Sequence, residues 1–297
     1  MVREVTRWVN ATAYPSPMGE TNSDPVIEVR AKLKGRVAPI EPAIVSGELR
    51  GGRLNVGSKQ VAFEGAHVVD VDVSRMTFDI FIVRESTFEH CDFRRIKSPK
   101  TLPSFGIQAP RQTVYRECRF EGADLRHPLL GEARFERCVF DGAKIERWLS
   151  THAEFIDCHF AGKIHSCNFF GHAPDPSTYV RHAPGRERLN EFRGNDFREA
   201  EISNVGFVCG IDVSAQRWPE GPEYIRLDRF RERVTSARKA VLAWADESER
   251  EPGLRMLHQF SAYGYEEQQE LFARRDNLPA IPRKIGDRVW DLLEHAL

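Results

Sequence analysis

The amino-acid sequence predicts a mainly β solenoid, a square coil of twenty residues per turn, followed by an α-helical region. Three patterns predict it. From Phe63 an apolar residue recurs at every fifth position: Phe63, Val68, Val73, Phe78, Val83, Phe88 and Phe93. Two positions earlier in each quintet lies a smaller or apolar residue, as in Val61, Ala66, Val71, Met76 and Cys91. The string Phe/Tyr-x-x-Cys-x-Phe occurs at 88–93, 115–120, 135–140 and 155–160, so that Cys118, Cys138 and Cys158 follow one another at intervals of 20 residues.

A period of five matches neither a helix at 3.6 nor a flat strand at 2. It requires a backbone that turns every five residues, and four such turns close a square. The large and the small residue of each quintet then point inwards and the other three point out. The 19 phenylalanines, against 6 tyrosines and 5 tryptophans, fit one structural slot filled again and again. Neighbouring coils stack at strand spacing, ~4.8 Å, so about seven coils make a rod of roughly 35 Å. Each buried Phe or Leu stabilises by about 1.5–3 kcal/mol, offset by the entropy of ordering its coil.

The pattern resumes at Tyr115, Phe120, Leu125, Leu130, Phe135, Phe140 and Ile145. It slips at Ser150, where Leu149 or Trp148 must supply the apolar group, and returns at Phe155, Phe160, Ile164 and Phe169. A last run holds Phe192, Phe197, Ile202 and Phe207, with Asn195 in the cysteine slot. With Phe93 on face one, Tyr115 falls on face four, so 96–112 is expected as a loop replacing faces two and three. Phe169 on face three and Phe192 on face four bracket a second loop, 171–189. Both segments carry Pro, Gly or Ser.

Ala123-Asp124-Leu125-Arg126-His127, with the looser Ala143-Lys144-Ile145 and Ala200-Glu201-Ile202, resembles the repeat of the pentapeptide-repeat family, roughly Ala-(Asp/Asn)-Leu-x-x. Cysteine before phenylalanine is a common variant there. The resemblance covers about 61–212 and implies a right-handed quadrilateral β-helix. It also implies a partner for some members: they protect DNA gyrase or topoisomerase IV, both type II topoisomerases, by imitating duplex DNA. The quinolone-resistance members carry two projecting loops and dimerise through a short C-terminal element.

The expected organisation runs in four parts. Residues 1–25, with Pro15, Pro17, Gly19 and Pro25 and no period, are expected to be poorly ordered. Alternation at Ile27, Val29, Ala31 and Leu33 starts a set of N-terminal cap strands over 26–60. The β-helix spans 61–213. Residues 214–297 are helical: a first helix over 224–249 carries Leu227, Phe230, Val234, Ala237, Val241 and Trp244 and ends before Pro252, a second covers 254–274, and a third follows Pro282. The third bears Ile285, Val289 and Leu293 on one face with Trp290 beside it. These four are candidate anchors for a partner or for a homodimer seam through the C-terminal helices.

Candidate chemistry is sparse. Cys91, Cys118, Cys138 and Cys158, together with Phe93, Phe120, Phe140 and Phe160, are expected as a ladder inside the rod. Four sulfurs in a row at ~4.8 Å span roughly 14 Å and cannot converge on one zinc ion at 2.3 Å. The cysteines therefore read as core thiols. Eight of the ten histidines lie in 67–182, without metal-ligand spacing, and read as surface groups. No Walker loop, Gly-x-Ser-x-Gly or His-Glu-x-x-His occurs. The chain is expected to need no metal and no cofactor and to have no catalytic residue, and an enzyme carried on the β-helix is the weakest alternative.

Charge narrows the partners. The whole chain carries 43 Lys+Arg against 44 Asp+Glu, a net of −1, which argues against direct nucleic-acid binding. Residues 61–212 hold 20 Lys+Arg and 23 Asp+Glu, a net of −3. A duplex carries one charge per ~1.7 Å, far more than this. No apolar run approaches the roughly 18 residues that span a bilayer, and no apolar signal core follows Met1, so a cytoplasmic location is expected. The reading is a non-enzymatic scaffold that binds a macromolecule, a protein, through rod faces, loops and C-terminal helices, with topoisomerase protection as the alternative.

Overall fold

The architecture is that of a computed structural model, which describes residues 42–98, 101–107, 109–173, 189–262, 264–277 and 281–296. The expected disorder of 1–25 lies outside the described residues. So do the alternating residues of 26–41.

Coiling starts with the strand Ala43–Arg50, which pairs in parallel with Gln60–Val69. Residues 26–60 are expected as N-terminal cap strands, and their described part, from 42 on, pairs with the coil that follows. Val45, Leu49 and Leu54 already fill inward slots and are buried, so 43–54 is a first coil. Successive coils pair in parallel, Phe88 with Tyr115, Tyr115 with Phe135, Phe135 with Phe155, and Phe155 with Phe192.

The turns reside in one residue per quintet. The second residue after each inward centre takes the left-handed conformation, as at Asp70, His90, Glu117, Arg137 and Asp157. Among the described residues, thirteen non-glycine residues from Asp70 to Cys209 do so. At about 1 kcal/mol each this is a large collective cost. It is offset because most such N–H groups reach the next coil: Asp70 donates to the Glu89 carbonyl, His90 to Arg116 and Glu117 to Glu136, all at 2.9 Å. Gly131 (φ +54°) has a stricter reason to be glycine. A Cβ there would stand 1.6 Å from the Gly106 carbonyl oxygen.

Inside the coil, rings stack at the coil spacing. On face one Phe93, Phe120, Phe140, Phe160 and Phe197 stack with centroids 5.0, 5.0, 4.9 and 4.6 Å apart and planes within 8°. On face four Phe88, Tyr115, Phe135 and Phe155 stack at 4.9, 4.9 and 5.1 Å. At the slip the side chain that fills face three is Trp148, buried, whose Nε1 donates to the Leu125 carbonyl at 2.6 Å, while Leu149 points out.

The segment 96–112 is more regular than a loop. Ile96 and Phe105 are buried, and Ser104 pairs with Ile82 on one side and Leu129 on the other. Faces two and three therefore persist there, because the segment still supplies one inward apolar group for each. In the second expected loop, 174–188 lie outside the described residues. His172 and Leu189 pair at its base.

The coil also runs past 213. Gln216 and Trp218 occupy one further small-and-large pair, with Trp218 stacked on Phe197 at 5.2 Å. Beyond it the expected helix over 224–249 divides. Tyr224–Leu227 is a strand, antiparallel to Leu271–Arg274, and the helix is Phe230–Leu242. The next helix, Glu247–Gln259, contains Pro252 instead of stopping at it. The Asp246 side chain caps it by accepting from Ser248 N at 2.9 Å. Gly253 lets the two helices close up, since a Cβ there would lie 3.0 Å from Val241. The last helix is Arg283–His295.

This C-terminal module caps the rod. Phe272 stacks on Trp218 at 4.1 Å and so continues the face-one ladder out of the coil. Gln268 is fully buried and donates to the Ile211 carbonyl at 3.1 Å, and Cys209 N donates to the Gly264 carbonyl at 2.8 Å. His172 meets Glu267 across the same junction.

The packing sets the cost of two substitutions. Phe140→Ala, in mid-ladder, lowers stability by about 3–5 kcal/mol in urea unfolding, whereas Leu149→Ala stays within about 0.5 kcal/mol. At the junction, burial disfavours the His172 imidazolium, but the Ala173 carbonyl and the Glu267 carboxylate outweigh it and raise the pKa above the ordinary value. A raised pKa stabilises most below the unfolded value of about 6.5 and is lost as pH rises through the folded one. The difference in Tm between the native chain and His172→Gln is thus widest at mildly acid pH and closes in the alkaline range.

Candidate interaction surfaces

Among the described residues the interior is a packed core. Its slots are filled by rings, aliphatic groups and thiols, and Cys91, Cys118, Cys138 and Cys158 are fully buried. Three of these thiols lie 3.4 Å from the carbonyl oxygen 23 residues earlier, Cys91 at Val68, Cys138 at Tyr115 and Cys158 at Phe135. Burial pushes the Cys118, Cys138 and Cys158 thiols well above the usual range, so they stay protonated. Asn195 and Gln216 continue the column as amides, with Asn195 Nδ2 donating to Gln216 Oε1 and to the Phe155 carbonyl, at 3.0 and 2.9 Å. Among the described residues no group of three His, Cys, Asp or Glu side chains is placed to hold a metal ion. His182 lies outside them.

The four proposed anchors of the last helix are not a free surface. Ile285, Val289, Trp290 and Leu293 are all buried in the C-terminal module's own core, with Phe230, Val241 and Leu257. Phe260 packs its ring on Trp290 at 5.4 Å. The amphipathic stripe is satisfied within the chain, which is the physical reason it cannot serve as a docking face in this fold. The arginines at the start of the module are also engaged: Arg226 with Glu270 at 3.1 Å and Arg233 with Asp228 at 2.7 Å.

Ion pairs line the outside of the coil. Side chains in one slot of successive coils are neighbours, and most columns are laced with alternating charge. On face four Arg134 sits among three carboxylates, with Glu136, Glu154 and Glu191 at 2.5, 2.8 and 2.5 Å, and Arg116 bridges Glu136 to Glu89. Burial would raise the Glu136 and Glu191 carboxyl pKa values, yet Arg134 holds both below the ordinary range. At the adjacent corner Asp70, His90, Glu117 and Arg137 alternate, His90 standing 3.5 and 3.1 Å from its two acids.

Face three differs. Its outward column runs through Ile44, Ala62, Ile82, Ser104 and Leu129 by successive pairings, and Leu149, paired with Asn168, comes next. Ile44, Leu129 and Leu149 are 50, 47 and 61% exposed, and Leu102, two residues before Ser104, is 53% exposed. These are four of the six large apolar side chains exposed among the described residues. Glu64 and Arg84 are the charges flanking the inward centres of this face between 44 and 151. The sequence reading missed this column, although Leu129 and Leu149, 20 residues apart in an outward slot, carry the signal for it.

Comparison with known proteins agrees with the geometry. Residues 118–147 match the sequence model of pentapeptide repeats in eight copies. The matched residues are pentapeptide repeats. The repeats build the right-handed quadrilateral β-helix that the family implies. Solved structures that the chain resembles include full-length QnrB1, a plasmid-mediated fluoroquinolone resistance protein, at 14% identity and a TM-score of 0.25, over 60% of this chain and 82% of that one. A trypsin-treated variant of QnrB1 matches at 12% identity and a TM-score of 0.27, over 58% and 78%. No curated protein sequence matches significantly. Among the described residues no helix is long and apolar enough to cross a membrane.

The face-four network yields a prediction. Arg134→Met keeps the alkyl packing but takes the shared cation from three carboxylates, leaving Glu136 to Arg116, Glu191 to Arg193 and Glu154 to the Gln112 amide. It lowers stability by about 1–3 kcal/mol in urea unfolding at neutral pH and low salt, and the loss shrinks when salt screens the acids.

Proposed function

We propose that this protein is a non-enzymatic scaffold that binds another protein, and that face three is its docking surface. The observation that carries the reading is the concentration of exposed leucine and isoleucine in one outward column. Single exposed apolar residues need no explanation, but several exposed on one face of a rod whose other faces carry ion pairs mark an interaction site.

The chemistry of the face selects the occupant. Its few charges offer little to a nucleic acid, whose affinity comes from phosphate contacts. Its backbone N–H and C=O groups are spent in the coil-to-coil ladder, so a partner cannot add a strand and must be read by side chains. Four part-exposed aliphatic side chains fall well short of the ~800 Å² per partner of a standard stable interface. This favours a partner that lays a narrow apolar ridge along the column over a second copy docked face to face.

Topoisomerase protection by DNA imitation would require an unbroken acidic stripe. The outward column of face one instead reads Arg53, Asp72, Asp92, Arg119, then Asp196 and Arg217 further along, with arginine interrupting acid. That alternation supports the protein-scaffold reading over imitation of a duplex.

Two measurements test this. A photo-crosslinking p-benzoylphenylalanine at position 149 captures a discrete protein in cells, and the same group at the equally accessible position 126 on face two does not. Absence of any adduct at 149, or identical adducts at both positions, removes face three as the docking surface. In a gyrase supercoiling assay the chain leaves fluoroquinolone inhibition unchanged; protection there would restore the topoisomerase reading.

A further inference from the structure

The corner between faces one and two departs from the charge alternation seen beside face four. Its left-handed positions are Arg75 (φ +59°) and Arg95 (φ +57°) in neighbouring coils, followed by Gly122 and Gly142. Where the glycines replace side chains the corner sinks into a trough of about 620 Å³. Arginines wall it from successive coils: Arg53, Arg75, Arg94, Arg95 and Arg119. The acids in its lining are Asp72, Glu121 and Asp141.

Most of that charge is already matched. Arg53 stands 3.6 Å from Asp72, Arg119 is 2.6 Å from Glu121, and Arg94 turns to Asp92 outside the trough. Arg75 and Arg95 have no ion pair or side-chain hydrogen bond among the described residues, and Asp141 stays as an unpaired acid on the rim. At the corner beside face four the equivalent positions alternate acid, histidine, acid, arginine. Like charges in equivalent positions of neighbouring coils repel even in water. The fold does not require them, since glycine serves the same corner two coils later.

We propose that this trough is a binding site for linked phosphoryl groups, held between the guanidinium forks of Arg75 and Arg95. A guanidinium matches a phosphate bidentately and keeps its charge, and two forks one coil apart call for an anion with more than one phosphoryl group. A single carboxylate offsets only one of them. The Gly122 and Gly142 N–H groups already donate to the Asp141 and Ala161 carbonyls, so recognition rests on the arginine side chains. No aromatic ring lines the trough to stack a base, so free diphosphate and the diphosphate tail of a nucleotide are held alike. The site is separate from face three and does not depend on the docking role proposed for it.

Calorimetric titration of the full chain at low ionic strength with inorganic pyrophosphate, ADP and sulfate tests this. Pyrophosphate and ADP bind one site with similar affinity, and sulfate binds about tenfold or more weakly. Arg75→Gln/Arg95→Gln weakens pyrophosphate by about tenfold or more, while Arg126→Gln/Arg198→Gln, at paired arginines elsewhere on the rod, leaves it unchanged. Matching thermal unfolding of both variants verifies the fold. Absence of saturable pyrophosphate binding, or equal affinity in the Arg75/Arg95 variant, overturns the site. ADP binding far more tightly than pyrophosphate, or a poly-glutamate peptide outcompeting pyrophosphate at the same two arginines, overturns the ligand class.

Discussion

A flat ring in an inward slot can rest on the ring one coil below only if the backbone rises by a ring's stacking distance in each turn. The coil rises by strand spacing, ~4.8 Å, and the face-one rings from Phe93 to Phe197 lie 4.6–5.0 Å apart. Those two lengths agree because hydrogen bonding sets the first and π-surface contact sets the second. Their coincidence ties the rest together. Any extra residues must leave and re-enter at a corner, or every ring above them loses its partner. The four-residue step from Phe160 to Ile164 respects this: pairing with the next coil shifts between His159 and Ala161, and Phe160 still stacks on Phe197.

The same repeat disciplines the surface. Equivalent outward positions sit one strand spacing apart, so a column of like charge repels along its whole length. Alternation of Arg with Glu or Asp relieves that and adds hydrogen bonds, as around Arg134. Folding alone would let every column follow the rule. The columns that do not follow it, the apolar one on face three and the arginine pair at the corner of faces one and two, are set by something other than the coil's stability.

Legibility in the sequence follows from which forces are local. Inward slots were readable because five-residue spacing and buried Phe leave a strong periodic trace, and Trp148 at the Ser150 slip was one of two candidates the spacing named. The segment 96–112 was misread because two inward groups, Ile96 and Phe105, are too few to show a period, though they suffice to complete faces two and three. Past Trp218 the errors have another cause. Tyr224–Leu227 shares the apolar spacing of the helix after it, and only its antiparallel partner at Leu271–Arg274 makes it a strand. Ile285, Val289, Trp290 and Leu293 looked like anchors because an amphipathic stripe does not state whether its cover lies in the same chain. The trough was invisible, since Arg75 and Arg95 become neighbours only once the coil is closed.

A filled coil has a consequence for how such a protein acquires a function. Its inward residues are fixed by ring spacing, and its corner residues by the left-handed turn and the N–H that most of them hand to the next coil. What remains free is the pair of outward residues beside each centre, and these meet their equivalents above and below in straight columns. A change at one outward slot therefore alters a line of contacts with little effect on the core. The capping module frees the end of the rod from the same burden: Phe272 closes the face-one ladder on Trp218, and Gln268 satisfies Ile211 at the last turn. With both interior and end accounted for, differences in partner between one rod and another must lie in the outward columns. Among the described residues, the apolar column of face three and the arginine pair at the corner of faces one and two are where this chain departs from charge alternation most.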